Sequence, residues 1–192
     1  LENKDSIYDL MDQLRAHSKK LGLYASEVIH SVRESGKKAK MANFELTSVL
    51  EWVLEVLQEK TEGNSVIKWK KTTEFVTLFG DEKFTRLAVM AMIQHSQKLL
   101  GEAKGLEIVV SQIEDLDDNN RARITTSIET NCPKIEETDL KCLFNVSEYG
   151  SSVEELGMPM VARLMQNMGS RIWAESTSNS GLIFKFEMGK SN

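Results

Sequence analysis

Apolar residues recur at helical spacing over the first forty positions. Ile7, Leu14, Leu21 and Val28 repeat every seven residues, Leu10, His17, Tyr24 and Ser31 form a companion row, and Met11, Ala25 and Val32 widen the stripe. This three-four spacing predicts a long amphipathic helix over residues 6–38 with a coiled-coil or bundle seam. Such a seam has to be buried, and a second copy of the same helix is the simplest partner. Asp5-Ser6 supplies N-cap side chains, and Gly36 with the lysines after it supplies a stop. After a short linker at 41–43, Leu46, Val49, Leu50, Val53, Leu54 and Leu57 predict a helix over 45–62. Residues 65–71 and 74–78 read as strands, and Phe84, Leu87, Ala88, Ala91 and Met92 mark the inward face of a helix over 81–100. Strands at 106–113 and 122–129, a short helix at 136–144, a helix at 153–168 and strands at 170–175 and 180–188 complete the pattern. Helices on one face of a mixed, mainly antiparallel sheet make an α+β fold, a two-layer sandwich. The expected division is a dimerisation helix at 1–40 and a sandwich domain at 44–190.

Composition narrows this picture. A chain of 192 residues with 41% hydrophobic positions can bury one good core and a helical extension. A net charge of -5 and a pI near 5.4 argue against a nucleic-acid-binding surface. The densest basic cluster, Gly36-Lys-Lys-Ala-Lys40, is too short to reverse that and reads as the solvated end of a helix. Cys132 and Cys142 lack metal-ligand spacing and suggest reduced thiols in a cytosolic compartment. No apolar run approaches the roughly 18–20 residues that span a bilayer, and no signal peptide opens the chain. The sequence begins at Leu1 in the middle of a helical pattern, as a cytoplasmic piece of a longer protein would, so any membrane attachment is expected in the parent. Neither a Ser/His/Asp constellation nor a paired acid/base motif stands out.

The order of motifs resembles the C-terminal half of a two-component sensor histidine kinase. Val32-Arg-Glu-Ser-Gly-Lys37 followed by Phe44-Glu-Leu46 is similar to the end of that family's dimerisation domain and its entry into the catalytic ATP-binding domain. Gly80-Asp-Glu-Lys-Phe84 resembles the start of the N-box helix. Leu156-Gly-Met158, Arg163-Leu164, Met168-Gly169, Arg171-Ile-Trp173, Glu175-Ser176, Gly181 and Phe184-Lys-Phe186 follow the G2-to-G3 region in order. The resemblance covers nearly the whole chain. It implies the sandwich shared by histidine kinases, gyrase-type ATPases and their GHKL relatives.

The same resemblance exposes departures at each nucleotide box. The family's N-box asparagines, one of which ligates Mg2+, fall on Met90 and Gln94, and its lysine on Gln97; a slip of one residue brings His95 to the metal-ligand place. Neither register supplies an asparagine, and Mg2+ demands near-ideal octahedral oxygen geometry. In the G1 box, Asp-x-Gly-x-Gly, Glu129 stands for the adenine-reading aspartate, while Asn131 and Pro133 replace glycines. In G2, Glu155 sets a carboxylate at a helix N-terminus that otherwise favours phosphate; Gly157 is kept and Pro159 follows inside the first turn. In G3, Asn179 replaces a glycine and Gly181 remains.

Each damaged hydrogen bond to a charged ligand costs roughly 1.5–3 kcal/mol. A close like charge adds up to about 4 kcal/mol at an effective dielectric near 20. A discounted total of about 5 kcal/mol weakens binding roughly a thousandfold or more. The resemblance therefore implies a pseudo-histidine-kinase module of a two-component or phosphorelay protein, with no ATP or Mg2+ cofactor and no catalytic residue. It would act through homodimerisation by its N-terminal helix and through a histidine kinase or a response-regulator receiver domain. The alternative is a divergent but active kinase that binds MgATP through Glu129 and Gln94 and phosphorylates an upstream His. A remodelled pocket for another small molecule is a third possibility.

His17 lacks the family's acceptor-box neighbours and reads as a polar residue of the helix seam; His30 reads as solvated and His95 as structural. Met90, Met92, Met158, Met160, Met165 and Met168 read as core filler, or as an adaptable partner surface. Trp52, Trp69 and Trp173 read as packing residues.

Overall fold

A computed structural model describes residues 39–58, 67–101, 105–117, 119–144, 157–176 and 181–191. All of them belong to the second of two units into which the chain divides, Lys37–Asn192. The expected helix over 6–38 with its dimer seam, His17 and His30 lie outside the described residues, as do Glu155 and Asn179.

The elements run β1 (Ala42–Phe44), α1 (Leu46–Gln58), β2 (Ile67–Lys71), β3 (Leu78–Gly80), α2 (Glu82–Leu100), β4 (Leu106–Leu116), β5 (Ala122–Thr130), α3 (Glu137–Cys142), α4 (Met158–Asn167), β6 (Arg171–Ser176) and β7 (Leu182–Lys190). Among the described residues they form one seven-stranded sheet in the order β1-β3-β7-β5-β4-β2, with β6 also on β7. β2 pairs with β4 in parallel, and the other pairings are antiparallel. β7 is central: it carries β5 on one edge, and on the other β6 opposite residues 182–187 and β3 opposite 189–190.

Strand alternation decides which face is covered. Ile124, Thr126, Ile128 and Thr130 of β5 and Leu182, Phe184, Phe186 and Met188 of β7 are buried, whereas the residues between them are half-exposed. The helices lie over the buried face. α1 contributes Leu46, Val49, Leu50, Val53, Leu54 and Leu57, all buried, and α2 touches both α1 and α4. Met90, Met92, Met158, Met165 and Met168 are buried in this core and Met160 is half-buried, so core filling accounts for the methionine run. The three tryptophans are half-buried; Trp52 carries the Arg86 guanidinium 5.0 Å above its ring, and Arg86 is in turn held by Glu82 at 2.7 Å.

The ends of the two long helices follow from local chemistry. Asp81 caps α2, its Oδ1 accepting from the N–H groups of Lys83 (3.0 Å) and Phe84 (3.2 Å), and Gly101 at φ 79° ends it. α4 stops at Gly169, φ 66°, with the Gly169 N–H on the Gln166 carbonyl (2.9 Å) and the Ser170 N–H on the Met165 carbonyl (3.0 Å). That pair of bonds is the Schellman motif.

Beyond shifts of one or two residues, three boundaries differ from the sequence expectation. The expected linker at 41–43 becomes β1, paired along β3. The strand expected at 74–78 is displaced to Leu78–Gly80, because side chains claim the segment before it: the Gln112 Oε1 accepts from the Val76 N–H, and the Thr73 Oγ1 from the Gln112 N–H, both at 2.8 Å. β4 runs on to Leu116 because the turn that ends it is built at Asp117, whose Oδ1 accepts from Asn119 (2.9 Å) and Arg121 (2.8 Å), with Asn120 at φ 60°. Among the described residues no helix is long and apolar enough to cross a membrane.

Candidate functional site

The inward face of α2 continues from Ala88, Ala91 and Met92 by helical spacing to His95, Ser96 and Leu99. The His95 ring stands edge-on to Phe184 of β7, with centroids 6.2 Å apart and planes at 78°. Next to it the buried Cys132 thiol donates to the Ser96 carbonyl at 3.2 Å. Beyond Cys132 the chain is tied to the β6–β7 hairpin: the Ile135 N–H donates to Ser176 Oγ (3.0 Å), and that hydroxyl donates to the Gly181 carbonyl (2.7 Å). α3 follows immediately. Between the last turns of α2 and α3 lies a cavity of about 290 Å³, lined by His95, Leu99, Ile135, Asp139, Leu140, Cys142 and Leu143. Small-ligand pockets begin at about 300 Å³, so this one is small, and its lining mixes apolar side chains with His95 and Asp139.

The residues named from sequence are distributed differently. Met90 is fully buried in the core, and Gln94, half-buried, does not line the cavity. Glu129 sits opposite Val109 and Ile183 on the uncovered face of β5. The β5 residue that reaches the helix side at this end is Thr130, whose Oγ1 donates to the Leu182 carbonyl at 3.0 Å. Neighbouring strand residues face opposite sides of the sheet, so Glu129 points away from the helices and Thr130 toward them. Asn131 is occupied elsewhere: its Oδ1 accepts from the Glu107 N–H (2.9 Å) and its Nδ2 donates to the Gly105 carbonyl (3.1 Å), fastening the start of β4. On α2, Ala91 is buried and His95 lines the cavity, whereas Gln94 and Gln97 do not line it.

The two glycines have unlike reasons for being there. Gly157, the N-cap of α4, is exposed at φ -67° and ψ 151°, and an added Cβ would meet little besides Pro159. Gly181 has no room for a Cβ, which would press on the backbone oxygens of Thr130 and Cys132 and lie 2.8 Å from the Cys132 nitrogen. Close approach of backbone is what glycine provides there.

Burial, and secondarily the charge of Lys98, pushes the His95 imidazole below its ordinary value of 6.5, so the ring is neutral at neutral pH. A neutral imidazole offers nitrogen, whereas Mg2+ selects oxygen. Among the described residues no group of three or more His, Cys, Asp or Glu is placed to hold a metal ion. The His95 shift also sets a pH dependence. The folded-state value lies below the unfolded one, so stability is full above 6.5 and falls as pH drops through that value toward the folded one. A His95→Phe variant should flatten this fall between about pH 7 and pH 5, as read by urea unfolding at each pH; an unchanged slope would assign it to other groups.

The α3 wall, with Ile135, Asp139, Leu140, Cys142 and Leu143, was not among the expected site residues. Its signal was the spacing of Ile135, Leu140 and Leu143, which gives that short segment one apolar side.

Residues 80–192 match the family described as histidine kinase-, DNA gyrase B- and HSP90-like ATPase. No curated protein matches the sequence. Among solved structures, the fold is similar to the nucleotide-free catalytic domain of the histidine kinase ThkA, with 19% identity, a TM-score of 0.62, and coverage of 79% of this chain and 96% of that one. It is also similar to the mycobacterial sensor histidine kinase MprB (14% identity, TM-score 0.60, coverage 78% and 97%). A third similar structure is that of ThkA in complex with the response regulator protein TrrA (18% identity, TM-score 0.64, coverage 91% and 49%). At these identities the likeness speaks for the fold. With the family match spanning more than half of the sequence, the chain belongs to the histidine kinase-, DNA gyrase B- and HSP90-like ATPases.

Proposed function

We propose that this chain is a pseudo-histidine-kinase module of a two-component or phosphorelay protein. It keeps the ATPase fold, does not bind ATP productively, and works through dimerisation and protein interaction. The observation that supports this reading is the state of the nucleotide positions. In the register that brings His95 to the metal-ligand place, nitrogen stands where Mg2+ takes oxygen, and the nearby Thr130 hydroxyl and Cys132 thiol are both spent on backbone carbonyls of the fold itself. A receiver domain is the favoured partner, in keeping with the complex that ThkA forms with TrrA; an active histidine kinase is the other. The helix over residues 6–38 is the proposed dimer element.

Mass action provides the test. A micromolar site in 1 mM MgATP gains about 4 kcal/mol, which raises Tm by roughly 8–16 °C in a domain of this size. The expected shift is below about 1 °C; one of several degrees that needs Mg2+ would overturn the proposal. The alternative reading is a divergent but active kinase that still binds nucleotide. Transfer of labelled phosphate from ATP to an upstream His in the longer protein would decide for it.

A further inference from the structure

Three separate parts of the fold meet at one buried carboxylate. Asp81, 6% exposed, uses Oδ1 for the helix cap described above and Oδ2 to accept the backbone N–H of Lys40 at 2.7 Å, just before β1. Its own N–H donates to the sulfur of Met168 at 3.2 Å, the C-cap of α4. Its carbonyl receives the Thr85 hydroxyl at 2.9 Å. The preceding Gly80 packs against the Met188 methyl, Phe44 and Met168.

We infer that Asp81 is a mechanical relay, coupling the segment that enters the domain at residues 39–41 to α2 and α4. The bond from Lys40 is charge-assisted and buried in part, which makes it stronger than a neutral one. α2 runs unbroken from Glu82 to Leu100 and carries His95 and Leu99 to the cavity. A displacement of its capped end is therefore passed to the cavity wall. Met168 passes the same displacement to the end of α4. Because cores are close-packed, such a shift moves whole elements instead of being absorbed locally. The relay depends on geometry alone and holds whether or not the cavity takes a nucleotide.

The test uses the full chain with labelled methionine methyls and histidine rings, followed by NMR. Lys40→Pro removes the donated N–H and leaves Asp81 intact, whereas Lys40→Ala keeps the N–H and removes only the side chain. The first should move the Met168 methyl and His95 ring signals, and the second should leave both in place. Asp81→Ser provides a check should the proline variant not fold, since one hydroxyl still caps α2 but cannot also reach Lys40. Amide exchange at Lys40 should then rise at least about tenfold, protection of Lys83 and Phe84 should persist, and the Met168 and His95 signals should move. Unchanged Met168 and His95 signals in a folded Lys40→Pro or Asp81→Ser protein would overturn the relay, as would equal shifts in Lys40→Ala.

Discussion

Gly181→Ala should destabilise the domain by about 3 kcal/mol or more and lower its Tm by roughly 6–12 °C. The added methyl would be driven into the backbone of Thr130 and Cys132, where no rotamer change can make room. Two bonds fix the same point, from Thr130 Oγ1 to the Leu182 carbonyl and from Ser176 Oγ to the Gly181 carbonyl. Relief would therefore mean parting β5 from β7 at the end that carries the site. Gly157→Ala is the matched comparison: its backbone angles suit any residue and its surroundings are open. Losing a glycine N-cap should cost below about 1 kcal/mol there. Chemical denaturation of the two variants measures the contrast, and a Gly181→Ala protein as stable as the parent would contradict the packing described.

Phe184→Ala should cost about 3–5 kcal/mol, the range for emptying a large aromatic site in a core. Phe184 is fully buried on the central strand, and its ring is the surface that His95 meets edge-on. The truncation therefore has a second readout. Water admitted beside His95 weakens the desolvation that lowers its pKa, so its titration followed by NMR should move back toward 6.5. A loss of stability below about 1 kcal/mol, or an unmoved His95 titration, would mean that this contact does not organise the cavity wall.

The architecture was legible from periodicity because its core elements are strongly patterned. The helix predicted over 81–100 emerges as Glu82–Leu100 with Asp81 as its cap, and the strands of the sheet's centre shift by one or two residues. Short edge elements were not legible. β1 and β3 span three residues each and owe their place to pairing partners distant in sequence. At the candidate site, counting along the motifs left out the direction of the side chains. On β5, Ile124 and Ile128 share a face, which already assigns Thr130 to the core and Glu129 away from it. On α2, the stripe of Ala88, Ala91 and Met92 leads by seven, four and three residues to His95. Counting along a family motif ignores these periods, whereas the packing obeys them. The roles of Asn131 and Gly181 were beyond periodicity altogether, because each is defined by a tertiary neighbour: the start of β4 for one, the backbone of Thr130 and Cys132 for the other.

The proposed module keeps the ATPase fold without its nucleotide chemistry. Calorimetric titration of the chain with MgATP, with ATP in EDTA as the comparison, tests it most directly. No saturable heat is expected at concentrations below about 1 mM, in line with a loss of roughly a thousandfold from a micromolar site. Saturable binding with a micromolar Kd that disappears when Mg2+ is removed would contradict it.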